Sequence, residues 1–187
     1  LKESRVKIIK NSINKGVASA NNKGISSALK DNCSHILLLN NDVAFRDNLF
    51  EILIKSIRSD KYSLVSPKIN FFDNQNVIWY AGGVFNKYNG FLPTHIGLNY
   101  KDEVDFNEKV TTEYASTCCL LIKKEVFNKI NGFNEYFWQW GWGQDHDLVS
   151  RATKNLENIK KKGIKMTIEL STLYLKNLNL IMRFLIN

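Results

Sequence analysis

His35-Ile36-Leu37-Leu38-Leu39 is an unbroken run of strand length that stops abruptly at Asn40-Asn41-Asp42. A run without alternation predicts a strand covered on both faces, as in a parallel α/β sheet. Residues 6–10 read as an earlier short strand, and residues 17–29 as a helix rich in small side chains behind Gly16. Residues 47–58 predict a helix capped by Asp47, with Leu49, Ile52, Leu53, Ser56 and Ile57 on one stripe. Residues 64–66 form a further strand, and this strand–helix alternation argues for a parallel sheet with helices on its faces.

The middle of the chain is less regular. Residues 77–81 resemble a strand ending at Gly82-Gly83, and residues 85–109 form a long excursion of the kind that often carries function. Residues 116–122 read as a strand, 124–130 as a helix stopped at Gly132, and 145–155 as a helix with Leu148, Val149 and Ala152 inward. Leu170, Leu173, Tyr174, Leu178, Ile181 and Leu185 keep a helical period and predict an amphipathic helix. The expected division is a main domain over residues 1–153 and a basic segment with that helix over 154–187.

The chain has 187 residues and 44% hydrophobic positions, enough for a full core, which excludes disordered and disulfide-scaffold classes. No run of 18 apolar residues occurs, so no conventional membrane span is expected, and no secretion signal opens the chain. Cys33, Cys118 and Cys119 make an odd set without a CxxC, which suits a reducing, cytoplasmic setting. The net charge is +8, yet only five of the 26 basic residues are Arg, so nucleic acid is not the expected partner. Lys160-Lys161-Lys162 and the amphipathic helix leave peripheral contact with an anionic membrane open, against simple packing on the domain.

Three constellations can carry chemistry. Asn40-Asn41-Asp42 ends the buried strand, where α/β sheets bind ligands, and an acid among amide oxygens is a natural ligand for Mg²⁺ or Mn²⁺. The same residues also suit an ordinary turn. Asn14-x-Gly16-x-Ala18-x-Ala20-Asn21-Asn22-x-Gly24 lets backbone and amide groups approach a phosphate or sugar, or simply packs a helix closely on the sheet. Trp138, Trp140 and Trp142 alternate with small or polar residues ahead of Gln144, Asp145, His146 and Asp147. Flat indole faces beside carboxylates suit a sugar. Asp145 would sit at a helix N-terminus, ionised as a general base requires. Asp147 precedes Arg151 by four residues, so an i,i+4 ion pair competes with a role in binding. His35, His95 and His146 read as structural or exposed.

Taken in order, these stretches resemble the nucleotide-sugar glycosyltransferases of family 2, and most of all their bacterial rhamnosyltransferase-type members. The matching residues are 14–24, Ile36–Val43 (ILLLNNDV), 65–69 (VSPKI) with Ala81-Gly82-Gly83, 117–127 (TCCLLIKKEVF), 132–137 (GFNEYF) and 145–151 (DHDLVSR). The resemblance implies a GT-A-like, Rossmann-like mixed and mostly parallel sheet flanked by helices, N-terminally truncated relative to relatives that begin with further strand–helix pairs. Asp42 holds the last position of the family's DxD-type motif and would bind Mg²⁺ or Mn²⁺. Asn14, Gly16, Asn21, Asn22, Asn40 and Asn41 would line the donor, and Trp138, Trp140, Trp142, Gln144 and Asp147 the acceptor. Asp145 matches the catalytic Asp of the (E/D)D-x-D motif, with Gln144 in place of the usual first acid.

The implied activity is an inverting, hexosyltransferase-type reaction. A sugar would pass from a nucleoside-diphosphate sugar to a glycan or lipid-linked acceptor in cell-surface polysaccharide synthesis, in the cytoplasm at the inner face of the membrane. A partner chain completing the sheet is a further reading, because an unpaired edge recruits strands. The rival from another class is a non-catalytic carbohydrate-binding or subunit-interaction domain.

Overall fold

A computed structural model describes residues 6–45, 48–58, 62–139, 143–157, 165–175 and 185–186. In chain order they form α1 (Gly16–Lys30), β1 (His35–Leu39), β2 (Val43–Phe45), α2 (Leu49–Ile57), β3 (Tyr62–Phe71) and β4 (Ile78–Tyr80). There follow β5 (Gly83–Asn86), β6 (Leu92–His95), β7 (Val110–Thr111), β8 (Cys119–Lys123), α3 (Lys124–Ile130), α4 (Gln144–Glu157), β9 (Lys165–Leu175) and β10 (Leu185–Ile186).

The main sheet runs β10-β1-β8-β3-β9-β2, with β4 beside β3 and β7 beside β9. β8 lies antiparallel between β1 and β3, with Leu39 opposite Cys119 and Val65 opposite Leu121. β3 and β9 run parallel, with a register shift between Pro67 and Lys68, where proline has no N–H for the ladder. The sheet is mixed as expected, but β3–β9 is the one parallel ladder among the described residues, which corrects its mostly parallel character. The cause is the connection. The chain leaves β3 through the antiparallel β4 and re-enters beside the carboxyl end of β1, so β8 must run backwards.

Ile36–Leu39 are buried throughout, as are Leu120, Leu121 and Ile122 of β8. Each such side chain contributes roughly 1.5–3 kcal/mol on burial. Helix α1 turns Ala18, Asn21, Ile25 and Ala28 inward at three- and four-residue spacing, so its small residues bring its axis close to its neighbours. It ends where Asn32 takes φ +57° and Cys33 donates its N–H to the Ala28 carbonyl at 3.0 Å. α2 packs on β3, β8 and β9, while α3 packs on β8 and α4.

Two further expectations fail. Residues 6–10 are not a strand, and Val6 and Ile8 are exposed without a ladder. Of the amphipathic helix expected over 170–185, residues 170–175 belong to β9 and Leu185 to β10, while residues 176–184 lie outside the described residues. Thr167, Ile168 and Thr172 favour strand, and the slot beside β3 offers nine paired positions that an isolated helix cannot match. β9 belongs to the same sheet as β1, so this part of the C-terminal segment is joined to the main domain. Lys160–Lys162 lie outside the described residues. The long excursion is also ordered more than its sequence suggests: β5 and β6 pair from Gly83↔His95 to Asn86↔Leu92.

Candidate functional site

The carboxyl end of β1 meets the amino end of β8. Asn40 donates its N–H to the Cys118 carbonyl at 2.8 Å, carrying the ladder one residue past the strand. The chain then turns, leaving Asn40 exposed and Asn41 and Asp42 half-buried. Asn41 Nδ2 and Asp42 Oδ1 are buried without a hydrogen-bond partner among the described residues. Such orphaned groups cost about 1–3 kcal/mol each, a penalty that native sites carry where a ligand satisfies them.

Asp145 reaches the same place from the other side. It lies in the first turn of α4, and its Oδ2 accepts the Thr117 N–H at 3.4 Å. Between the two acids sits Cys118. Burial pushes its thiol well up, and the neighbouring Cys119 and then the charges of Asp42 and Asp145 push it further. Both carboxylates therefore act on one buried sulfur at the head of β8. Residues about a hundred positions apart in sequence thus lie near the head of β8, Asp145 through its bond to Thr117 and Asp42 two residues beyond the Asn40–Cys118 bond.

The wall of the cleft comes from the excursion. A cavity of about 420 Å³ is lined by Leu92 and Pro93 of β6, Tyr114, and Gln144, Asp145 and His146 of α4. Tyr114 is held by its backbone, whose carbonyl accepts the Tyr80 hydroxyl at 2.8 Å. Burial, the Asp145 charge and Cys118 raise the Tyr114 hydroxyl far above its usual range. His95 stacks on Tyr114 at 5.9 Å with rings 20° apart, and Trp79 and Tyr80 meet it edge-on at 4.7 and 5.1 Å. Its Nδ1 lies 3.1 Å from the Trp79 carbonyl, which can only accept, so Nδ1 carries the proton. Burial lowers the His95 pKa, opposed by that bond and by the Asp145 charge. The sequence alone reads His95 as structural or exposed; only its pairing with Gly83 brings it to the site. A Cβ on Gly83 would stand 2.7 Å from the Tyr114 ring, so that position keeps the wall closed.

Of the expected acceptor residues, Gln144 lines the cavity. It is 6% exposed, and its Oε1 is buried without a partner. Asp147 is corrected to the structural alternative: its Oδ2 accepts from Arg151 Nε at 2.9 Å and Nη2 at 2.6 Å. The same guanidinium donates to the Ile130 and Gly132 carbonyls at 2.6 and 2.9 Å, tying α4 to the end of α3. Trp138 falls in the 3₁₀ turn Glu135–Gln139, with its side chain outside the description, and Trp140 and Trp142 lie outside the described residues.

The expected donor residues divide similarly. Asn21 is buried, with its Oδ1 unpartnered. Asn14 instead accepts the Gly16 N–H at 2.9 Å and shapes the start of α1, where Gly16 has φ +78°. Asn22 is a clamp: its amide pairs with the Phe133 N–H at 2.8 Å and carbonyl at 2.9 Å, and donates to Glu135 at 2.9 Å. Those bonds consume both of its N–H groups, correcting its assignment to the donor.

No cluster of three or more His, Cys, Asp or Glu side chains forms a metal cage among the described residues. Asp42 nonetheless fits a hard cation, because its unpartnered oxygen beside two Asn suits an ion that keeps water and phosphate oxygens as its other ligands.

A family model described as "Glycosyl transferase family 2" matches residues 1–131, and one described as "N-terminal domain of galactosyltransferase" matches residues 102–172. Among solved structures, the chain is similar to "GalNAc-T7 with UDP, GalNAc and Mn2+" (TM-score 0.63, 16% identity) over 94% of its own length and 32% of the other chain. It thus spans about a third of that relative. A197 from STIV overlaps more loosely, with TM-score 0.45, 13% identity, and coverage of 86% of this chain and 76% of that one. No curated protein sequence matches. The fold shared with GalNAc-T7 is the GT-A fold.

Proposed function

This chain belongs to glycosyl transferase family 2, and from that premise we propose that it moves a sugar from a nucleoside-diphosphate sugar to a hydroxyl acceptor, with inversion. The observation that carries the proposal is that Asp145 accepts the Thr117 N–H while Asn40, two residues before Asp42, bonds the Cys118 carbonyl, so both acids lie at the head of β8. Asp145 removes the proton of the acceptor hydroxyl. The oxygen forms a bond to the anomeric carbon from the face opposite the leaving group, and the sugar–phosphate bond breaks, with the electron pair leaving on the diphosphate. The N-terminus of α4 favours the ionised Asp145 needed at the start.

Asp42 would hold a Mg²⁺ or Mn²⁺ ion, whose chemistry there would be charge neutralisation of the departing diphosphate. GalNAc-T7, which shares the fold, was crystallised with UDP and Mn²⁺, and this supports a uridine nucleotide and a divalent ion as the first pair to try. Asn21, Asn40 and Asn41 serve the donor diphosphate. Gln144 accepts a second acceptor hydroxyl through its orphaned Oε1. The cavity volume suits one sugar ring and its surroundings. A hexosyltransferase role in cell-surface polysaccharide synthesis, at the cytoplasmic face of the membrane, accords with this chemistry and with three cysteines that form no disulfide.

The test is UDP release from a panel of UDP-sugars with Mn²⁺ and glycan acceptors. Asp145→Asn is expected to lower turnover at least a hundredfold while donor affinity stays within about twofold. Asp42→Ala is expected to abolish metal-dependent donor binding. Full turnover in Asp145→Asn would remove it as the base, and glycan binding without any donor use would favour the non-catalytic rival.

A further inference from the structure

The cavity beside Asp145 has two kinds of wall. Leu92 and Pro93 of β6 present carbon, whereas Tyr114, Gln144 and Asp145 present hydroxyl, amide and carboxylate groups. A pyranose ring divides in the same way, with C–H groups on its faces and hydroxyls around its rim. Charge narrows the fit. The described residues that line the cavity include no Lys or Arg, and His146 is the sole basic side chain among them. Asp145 is acidic, and so is Glu113 just before Tyr114, whose Oε2 accepts the Phe85 N–H at 3.1 Å. A phosphate or carboxylate would meet these acids with no fixed cation to offset them.

Tyr114 is held everywhere except at its hydroxyl. Its N–H donates to the Gly83 carbonyl at 3.0 Å, and its carbonyl accepts from the Tyr80 hydroxyl at 2.8 Å and Thr112 Oγ1 at 3.1 Å. Its buried ring stacks on His95 and forms T-shaped pairs with Tyr80 and Phe85 at 6.4 and 5.9 Å. No described residue hydrogen-bonds the hydroxyl, and the groups acting on it are Asp145 and Cys118. The phenol therefore keeps its proton and stands as a donor at the Asp145 end of the cavity. Gln144 Oε1, buried without a partner on the same wall, is an acceptor. Burying a hydroxyl unpaired costs about 1–3 kcal/mol, and phenylalanine would fill the same space without that cost. An unbonded donor and an unbonded acceptor beside a base are what a site needs to select a ring by its hydroxyls.

We propose that Tyr114 sets acceptor specificity: its hydroxyl donates to an acceptor hydroxyl next to the one that Asp145 deprotonates, on an uncharged pyranose ring whose C–H face rests on Leu92 and Pro93. The inference rests on the sugar-transfer reading of the same cleft and narrows its acceptor to a neutral ring. The phosphate of a lipid carrier, where the acceptor has one, then lies outside the cavity. His95, Tyr80 and Phe85 act through Tyr114, fixing the ring that carries the donor.

The experiment is titration calorimetry of the full chain with UDP and Mn²⁺ present, at pH 8 to keep imidazole uncharged. The probes are the methyl β-pyranosides of glucose, galactose and mannose, then the monodeoxy analogues and the uronic acid of whichever binds most tightly. Tyr114→Phe removes one oxygen and no bond seen in the structure, so it should melt with the wild type. It is expected to weaken the pyranoside about tenfold and to leave the affinity for UDP and Mn²⁺ unchanged. One monodeoxy analogue should bind the wild type about tenfold more weakly, yet bind Tyr114→Phe as well as the parent sugar does. The uronic acid should bind about tenfold more weakly than its neutral parent. The deoxy series on the wild type tests the hydroxyl contact even where the variant fails to fold. Binding of no pyranoside, equal affinity in Tyr114→Phe, no loss in any deoxy analogue, deoxy losses that add to that of Tyr114→Phe, or a uronic acid held as tightly as its parent would overturn the proposal. UDP release alongside any of these results would leave sugar transfer standing and remove only the role of Tyr114. Pyranoside binding as expected but without UDP release would support Tyr114 as the selecting residue and remove transfer instead.

Discussion

The β1–β8–β3 core and the excursion from β4 to β7 solve opposite problems with the same residue types. In the core, the apolar runs of β1 and β8 are buried on both faces, while β3 also buries Lys68 and Asn70, which need polar partners from outside it. In the excursion, apolar side chains are exposed while the inner side carries His95 and Asp102, the partner of Lys68 on β3. The core aims the acids, because the ends of β1 and β8 coincide at Leu39↔Cys119. The excursion walls the cavity on which Asp145 opens. A rigid frame with an attached wall separates the placement of charge from the shaping of the cavity.

Breaking the attachment should cost most. Lys68 Nζ bonds Asp102 Oδ1 at 2.5 Å and Asn107 Oδ1 at 2.8 Å, while Asn70 Nδ2 bonds Asp102 Oδ2 at 2.7 Å. Lys68→Ala leaves Asp102 without its cation, and chemical denaturation should show a loss of about 3–5 kcal/mol. Within the core, Leu38→Ala should cost about 2–5 kcal/mol by the same measurement, through lost burial and the cavity left behind. Gly83→Ala forces a methyl against Tyr114, and a loss of about 1–3 kcal/mol is expected, with acceptor binding weakened more than donor binding.

The smallest effect is a pH dependence in the wall. An unfolded histidine titrates near 6.5, and burial places folded His95 lower. Between those two values the unfolded chain holds more protons, so stability is full above 6.5 and declines as the pH falls towards the folded value. His95→Gln should flatten that decline, as thermal melts from about pH 7 to 5 would reveal; an unchanged slope would show that His95 is not the group responsible.

The core was legible because burial on both faces leaves a run that a local reading detects, as at Ile36–Leu39. Helices α1 to α4 were legible for a similar reason, each within a few residues of its observed ends. Asp42 and Asp145 could be named from their settings, a strand end and a helix start, although only the fold puts those two settings at the head of β8. What failed depended on distant partners. The helical period that begins at Leu170 was overridden through Leu175 by pairing with β3, and residues 6–10 had the composition of a strand without a neighbour to pair with. Asn22 and Asp147 look like ligands in sequence because amides and acids serve packing as readily as binding. His95 carried no signal at all, since its position depends on a hairpin register that spans Gly83 and residue 95.

The most direct measurement uses the three histidines as rulers. His95 and His146 lie with Asp145, whereas His35 opens β1, about 13 Å of strand from Leu39. With UDP and Mn²⁺ added, proton NMR should show the His95 and His146 ring signals broadened strongly and His35 weakly, and Asp42→Ala should remove the difference. Broadening centred on His35, or unchanged by Asp42→Ala, would place the ion away from Asp145 and contradict the single cleft.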